Sequence, residues 1–365
     1  MQGKYNMNKI IIFGGGSIGN AVYHLLKDRT EYSVTVADIR GSVTGIPLED
    51  YAQIDTRHPG TNSSTLEQLI RDKTLVINAL PYTENMVIYN ACLKENIPYF
   101  DFSEDSELNS FIQSQEQELP FTMPHCGLAP GMSTVIANDL AHDYTKVNEV
   151  KIRVGALSQN ATNKLKYHLS WSADGLINEY CGNCKVIRDG QLNEVPTLTD
   201  YETLLIDGTE YEAFNTSGGL GSFVDTVIND PRYSEANVNY KTIRRVGHHD
   251  YIDFLMNDLK IPKKDLINII KHGVSSTKQD CVIIFITVSG IVNSNHTERI
   301  YKKIFYPEKL NGRLFTAIEL TTASGLLTMV ELFLQNKLSD YGYHKQEEVK
   351  LSEAVSTKFG SLYTM

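Results

Sequence analysis

The sequence of 365 residues predicts an α/β fold, a doubly wound parallel sheet joined to a second, α+β domain. Three observations predict it. Apolar runs of strand length alternate with stretches of helical spacing over roughly residues 1–125. A glycine-rich turn joins the first strand to the first helix. After residue 126 the texture changes to longer alternating strands with interspersed helices.

The elements follow in order. Residues 9–13 (KIIIF) form a short apolar run that reads as a fully buried strand, followed at once by Gly14-Gly15-Gly16-Ser17-Ile18-Gly19. Residues 20–27 place Ala21, Val22, Leu25 and Leu26 at helical spacing, and 33–37 read as a second strand ending at Asp38. Strand, turn, helix and strand make one βαβ unit. A short helix at 66–71, a strand at 74–80 stopped by Pro81, a helix at 83–95 and a strand at 98–102 continue the alternation. A helix at 107–118 and a strand at 121–124 complete a Rossmann-type sheet. A Gly127-Leu128-Ala129-Pro130-Gly131 loop and a helix at 132–144 lead away from it. Strands are expected at 150–157, 166–171, 185–189, 240–246, 281–290 and 299–306, mostly antiparallel, and a helix at 316–334. The domains are therefore placed at 1–125, 126–315 and a C-terminal helical segment, 316–365, that returns to the first domain.

Composition narrows the function. Lys plus Arg number 34 and Asp plus Glu 44, a net charge of −10, which gives no general reason to bind nucleic acid or an anionic membrane. At 41% hydrophobic and 21% charged residues the chain reads as globular. No apolar run is expected to reach the roughly 18 residues of a membrane span. Residues 1–8 are polar and lack the pattern of a signal peptide, and five Cys suit a reducing, cytoplasmic setting without a disulfide framework.

The strongest motif is Gly14-x-Gly16-x-x-Gly19 between a strand and a helix. Gly14 permits the tight turn, Gly16 close approach of a pyrophosphate, and Gly19 close packing of helix on strand, with Ser17 and Ile18 in the first helical turn facing the phosphates. Asp38, at the end of the second strand, is placed to accept from the adenosine ribose hydroxyls and favours NAD; Arg40 admits NADP by pairing with a 2′-phosphate. Asn78, Ala79 and Pro81 follow the next strand and should pass near the ribose and nicotinamide. Tyr82 either donates to substrate or packs. Asp101, Glu104 and Asp105 end the following strand, where carboxylates can hold an ammonium or take a proton, or cap the next helix. His125 and Cys126 are candidates for a nucleophile or metal site, although adjacent side chains point apart. Cys181-x-x-Cys184 lacks further ligands, so no metal is expected. Arg244 is the candidate clamp for a substrate carboxylate; on a strand only one of Arg244 and Arg245 can serve.

The stretches 11–26, 76–105, 125–140, 169–196 and 240–248 together resemble the saccharopine dehydrogenase-like family of NAD(P) oxidoreductases, and within it the lysine 6-dehydrogenase type. The resemblance implies a dinucleotide domain completed by the C-terminal helices, a middle domain for substrate binding and dimerisation, and a homodimer or higher homo-oligomer. It implies oxidative deamination of an amino acid side-chain amine with a small-molecule substrate, L-lysine in that branch. It places Asp101, Tyr82, and His125 or Cys126 at the nicotinamide end, with Asp101 as first candidate base, and gives Arg244 the α-carboxylate. Two departures stand out. GLAPGMS lacks the acidic residue common after Pro-Gly in saccharopine reductases, which argues against saccharopine itself, and Arg245 replaces a common aromatic. Reductive condensation of an amine with an aldehyde, as in saccharopine or carboxynorspermidine formation, and a dinucleotide-binding sensor without turnover are the alternatives.

Overall fold

The computed structural model describes residues 7–57, 59–115 and 118–365. Residues 1–6 of the polar N-terminal stretch, and 116–117 in the helix expected at 107–118, lie outside the described residues. The chain forms two compact units, Met1–Gly131 with Thr322–Leu362, and Met132–Thr321 with Tyr363–Met365.

The first unit contains β1 (Asn8–Phe13), α1 (Ser17–Leu26), β2 (Tyr32–Asp38), β3 (Tyr51–Gln53), α2 (Pro59–Ile70), β4 (Leu75–Asn78), α3 (Asn85–Glu95), β5 (Tyr99–Asp101), α4 (Ser106–Gln113) and β6 (Thr122–Met123). Its six strands are all parallel, in the order β3-β2-β1-β4-β5-β6. Strand order reverses beside β1, so the carboxyl ends of β1, β2 and β4 flank the crevice where such sheets bind ligands. The apolar runs of β1 and β4 are buried throughout, as sheet strands covered on both faces require. Ile11, Phe13, Val76, Ile88, Tyr89, Leu108 and Ile112 form the core. In the C-terminal part of this unit Phe333 packs its ring 4.5 Å from Phe121 and 5.9 Å from Phe100.

The second unit holds α5 (Met132–Leu140), β7 (Lys146–Ser158), α6 (Ala173–Glu179), β8 (Asn183–Arg188), β9 (Gln191–Pro196), β10 (Glu202–Ile206), β11 (Thr209–Asn215), α7 (Phe223–Ile228), β12 (Asn237–Arg245), α8 (His248–Asp253), α9 (Lys263–Gly273), β13 (Asp280–Val292), β14 (Asn295–Phe305), β15 (Glu308–Leu310) and β16 (Arg313–Phe315). Its sheet runs β10-β11-β12-β7-β13-β14, with β8 and β9 added beside β12. Only β12 and β7 pair in parallel; the rest of this α+β unit is antiparallel, as expected. Tyr167, Leu176, Ile177, Tyr180, Leu266 and Ile270 pack together around α6 and α9.

Three expectations are corrected. Residues 166–171 are not a strand: Lys166 has φ 56° and Leu169 makes one isolated bridge to Ser276, because this segment serves its side chains to α6 and α9. Secondly, β3, β9, β10, β11, β15 and β16 are strands the sequence does not predict; β9 is exposed at all but Val195 and shows no apolar alternation. Thirdly, α10 (Ala317–Leu334), mean hydropathy 1.4, is long and apolar enough to cross a membrane by length and composition, yet 72% of it is buried within the fold. It reads as a core helix. A last helix, α11 (Leu351–Ser356), lies in the first unit.

Candidate dinucleotide and substrate sites

The turn between β1 and α1 is built around three buried glycines and one exposed one. Gly14 has φ +96°, and a Cβ there would stand 2.7 Å from the Ala79 carbonyl oxygen, where β4 ends beside β1. A Cβ on Gly19 would lie 1.8 Å from the Gly14 carbonyl oxygen, so the helix can approach the strand only with glycine there. Gly15, outside the expected pattern, is less constrained: its Cβ would stand 2.7 Å from the Val43 side chain, which can shift, rather than from backbone. Gly16 differs: a Cβ there would meet nothing within 4 Å. It caps α1, is exposed with Ser17, and opens onto the space that the first backbone N–H groups of a helix face. That open cradle fits a pyrophosphate.

Asp38, at the end of β2, closes the other side. Its Oδ2 accepts from Gly15 N at 2.7 Å and from Arg40 Nη2 at 2.8 Å; its Oδ1 accepts from Arg40 N at 3.0 Å and Arg40 Nε at 2.8 Å. Burial opposes the carboxylate charge, but Arg40 and the two backbone N–H groups outweigh it and hold the acid at about 2. Arg40 keeps 53% of its side chain exposed. Beside this pair lies a cavity of about 190 Å³ at the carboxyl ends of the strands, walled by Phe13, Ile39, Ile54, Leu80 and Pro81, with Arg57 at its edge. The apolar walls suit a base, and a ribose hydroxyl reaches Asp38 by displacing one of the Arg40 donors that now hold it.

The end of β5 forms a buried network. Asp101 is 1% exposed; its Oδ1 accepts from His125 N and Ser103 N, both at 3.1 Å, and its Oδ2 from the Tyr99 hydroxyl at 2.9 Å. Burial pushes its carboxyl up to about 7, against the pull of these donors. Asn78 is buried too and donates to Asn85 at 2.9 Å and Tyr99 at 3.1 Å, so it braces the network rather than facing the cavity. Asp105 caps α4 by accepting from Glu107 N and Leu108 N, the capping alternative. His125, with φ 64°, places Nε2 2.9 Å from Asn109 Nδ2. His125 and Cys126 are each 1% exposed, and the Cys126 thiol donates to the Met123 carbonyl at 3.2 Å. Burial raises that thiol well above its ordinary range, so Cys126 is not an activated nucleophile here. In the native protein a thiol reagent is expected to react first with Cys181, the one cysteine not buried among the described residues, and Cys126→Ala should retain dinucleotide binding; rapid labelling of Cys126 would contradict this. Tyr82, by contrast, is 50% exposed, in the turn Tyr82–Glu84 after Pro81.

Arg244 does not stand as an open clamp. It is 2% exposed and donates Nε to the Tyr180 hydroxyl at 2.8 Å and Nη2 to Glu179 at 3.2 Å, with the Tyr167 ring 5.4 Å away. Tyr180 lies 3.0 Å from His248 Nε2, and burial beside Arg244 drives His248 down to about 3, keeping it neutral. Glu179 keeps 28% of its side chain exposed, and burial lifts it above the usual carboxylate range despite Arg244. The anion paired with Arg244 is thus the protein's own. Sequence reasoning missed Glu179, Tyr167, Tyr180 and His248, because no spacing rule links α6 to β12.

Comparisons with known proteins agree with this arrangement. Residues 10–123 match the family model described as the saccharopine dehydrogenase NADP binding domain, and 127–361 the saccharopine dehydrogenase C-terminal domain. Apo saccharopine dehydrogenase (L-Glu forming) from Saccharomyces cerevisiae shares the fold with a TM-score of 0.72 over 95% of each chain, at 14% identity. A DAP dehydrogenase from C. glutamicum, in complex with DAP, aligns over 97% of this chain and 98% of its own at 12% identity and a TM-score of 0.49. Fold and cradle define an NAD(P)-binding oxidoreductase of the Rossmann type. The chain belongs to the saccharopine dehydrogenase family.

Proposed function

We propose that the protein is an NAD(P)-dependent dehydrogenase that oxidises the carbon–nitrogen bond of an amino acid side-chain amine, with L-lysine, attacked at its ε-carbon, as substrate. The observation that carries this reading is that the family's two domains follow one another over nearly the whole chain with the Gly14–Gly19 cradle and Asp38 intact. When bound, the nicotinamide supplies the hydride acceptor. The chain must supply the rest. Hydride leaves a carbon bearing nitrogen only when the nitrogen lone pair is free, so an ammonium with an ordinary pKa near 10.4 must first lose its proton. We assign the relay of that proton to Tyr82, whose phenol is exposed after β4: its oxygen accepts the ammonium proton as its own O–H proton passes to solvent. Asp101, buried and already accepting three hydrogen bonds, acts as a positioning residue that fixes the loops carrying Ser103 and His125. The test is nicotinamide reduction by the purified protein with L-lysine beside other amino acids and diamines. Reduction with L-lysine supports the reading; reduction only with an amine and aldehyde condensation product, or cofactor binding without turnover on any amine, would overturn it.

The Asp38–Arg40 pair sets the cofactor preference. With Arg40 laid on Asp38 the carboxylate is neutralised, so a 2′-phosphate is not repelled and Arg40 is within reach to pair with it. Arg40→Ala is expected to weaken NADPH binding by about tenfold or more while NADH binding changes much less, read by fluorescence titration. Equal losses for both cofactors would refute the assignment.

A further inference from the structure

The C-terminal part of the first unit returns to the carboxyl edge of its sheet. Beyond β6, Tyr343 bridges Thr122 in parallel: Thr122 N donates to the Gly342 carbonyl and His344 N to the Thr122 carbonyl, both at 2.9 Å. The His344 ring stacks on Phe121 at 4.7 Å, 14° from parallel. This stretch therefore runs in the direction of β5 and β6 and leaves the sheet at the same edge. The next residues form the turn Gln346–Glu348, closed by Val349 N donating to the Gln346 carbonyl at 3.0 Å. Burial raises the Cys126 thiol first, and the charges of Asp101 and Glu347 raise it further, so the turn stands near the end of β5.

Gln346 is the anomaly of this turn. It is 1% exposed, and neither its Oε1 nor its Nε2 has a hydrogen-bond partner among the described residues. A primary amide brings an acceptor and a double donor, and burying both without partners opposes folding. Buried polar groups are satisfied as a rule, so this amide, at the edge where such sheets bind ligands, calls for a group that supplies donor and acceptor together. A second primary carboxamide does so, because two of them pair through two N–H···O bonds. No hydrogen bond holds the amide of Gln346, so it can turn to a ligand without breaking one. A dinucleotide with its pyrophosphate at Gly16 and its adenosine beside Asp38 sends its other half past β4 toward β5, two strand spacings or about 10 Å from β1. The group carried at that end is a carboxamide.

We propose that Gln346 recognises the nicotinamide carboxamide of the bound dinucleotide, its Oε1 accepting from the ligand NH2 and its Nε2 donating to the ligand carbonyl. This role rests on the cofactor part of the reading above and not on L-lysine. It extends cofactor recognition from the glycine turn to a residue near the other end of the chain.

Isothermal titration of the full-length protein tests this without turnover. The ligands are NAD or NADP, whichever binds more tightly, its 3-acetylpyridine analogue, and the matching ADP-ribose, which lacks the nicotinamide. Gln346→Met keeps the shape and removes the amide. It is expected to weaken binding of the whole dinucleotide by about tenfold or more and to leave that of the ADP-ribose unchanged. The acetylpyridine analogue, neutral but without the NH2 donor, should bind the wild type more weakly than the parent dinucleotide does, and should bind Gln346→Met equally well. The unliganded variant should melt at or above the wild-type midpoint, because an unmet buried amide is gone; a purely structural amide would give a lower one. Undiminished dinucleotide binding by Gln346→Met would leave the amide to an ordered water and overturn the proposal. Equal losses for dinucleotide and ADP-ribose, or a lowered midpoint in the unliganded variant, would overturn it too. A wild type that binds neither ligand would overturn the dinucleotide reading itself, and this role with it.

Discussion

A Gly16→Val protein is expected to melt like the wild type and yet bind NADH and NADPH at least about a hundredfold more weakly. The reasoning is steric on both sides. A side chain at Gly16 meets nothing within 4 Å, so the fold loses only the modest preference for glycine over valine at the cap of α1. The same space is where the first N–H groups of α1 must reach the cofactor's phosphates, and losing two charge-assisted hydrogen bonds there is worth about 3 kcal/mol. Gly19→Ala makes the contrast. Its Cβ would fall 1.8 Å from a backbone carbonyl, so helix and strand must separate, and both melting midpoint and cofactor binding should drop. If Gly16→Val binds cofactor normally, the pyrophosphate does not lie in this turn.

Arg244→Ala is expected to destabilise the second unit by about 3 kcal/mol, a fall of roughly 6–12 °C in its melting midpoint. Arg244 is buried, donates to Tyr180 and Glu179, and lies over two tyrosine rings. Its removal leaves a mostly buried carboxylate without a counter-cation and a cavity beside Tyr167. Glu179→Gln in the same chain should recover part of the loss, because the uncompensated charge goes with it. A reversible thermal melt followed by circular dichroism decides this. An Arg244→Ala protein that melts with the wild type would mean that the cluster is not structural, and would return Arg244 to the role of an open substrate clamp.

The first unit was largely legible because its strands carry their signal in a few consecutive apolar residues. The runs at Ile10–Phe13 and Leu75–Ile77 are buried on both faces and need no periodicity to be recognised. The cradle was legible because glycine is the only residue that satisfies the close contacts at Gly14 and Gly19. Three-residue β3 gave no such signal; it exists because β2 offers it a partner at Val36–Asp38. In the second unit Tyr167, Leu169 and Trp171 alternate like a strand, but the alternation belongs to a segment packed against helices. The arginine doublet shows the limit most clearly. Alternation requires one guanidinium on each face, but which one meets a carboxylate from within depends on Glu179, distant in sequence and brought near only by the fold. The same holds at Asp101, where proximity to a ligand was read from its place at a strand end, while burial under Tyr99, Ser103 and His125 could be read only from the fold.

The most direct measurement is the fate of deuterium from L-lysine labelled at the ε-carbon. After incubation with the purified protein and oxidised NAD or NADP, the reduced dinucleotide is isolated and weighed by mass spectrometry. The account predicts reduced cofactor carrying deuterium, because the bond broken is carbon–hydrogen beside the ε-nitrogen. Reduced cofactor without the label, or none formed from L-lysine, would contradict it.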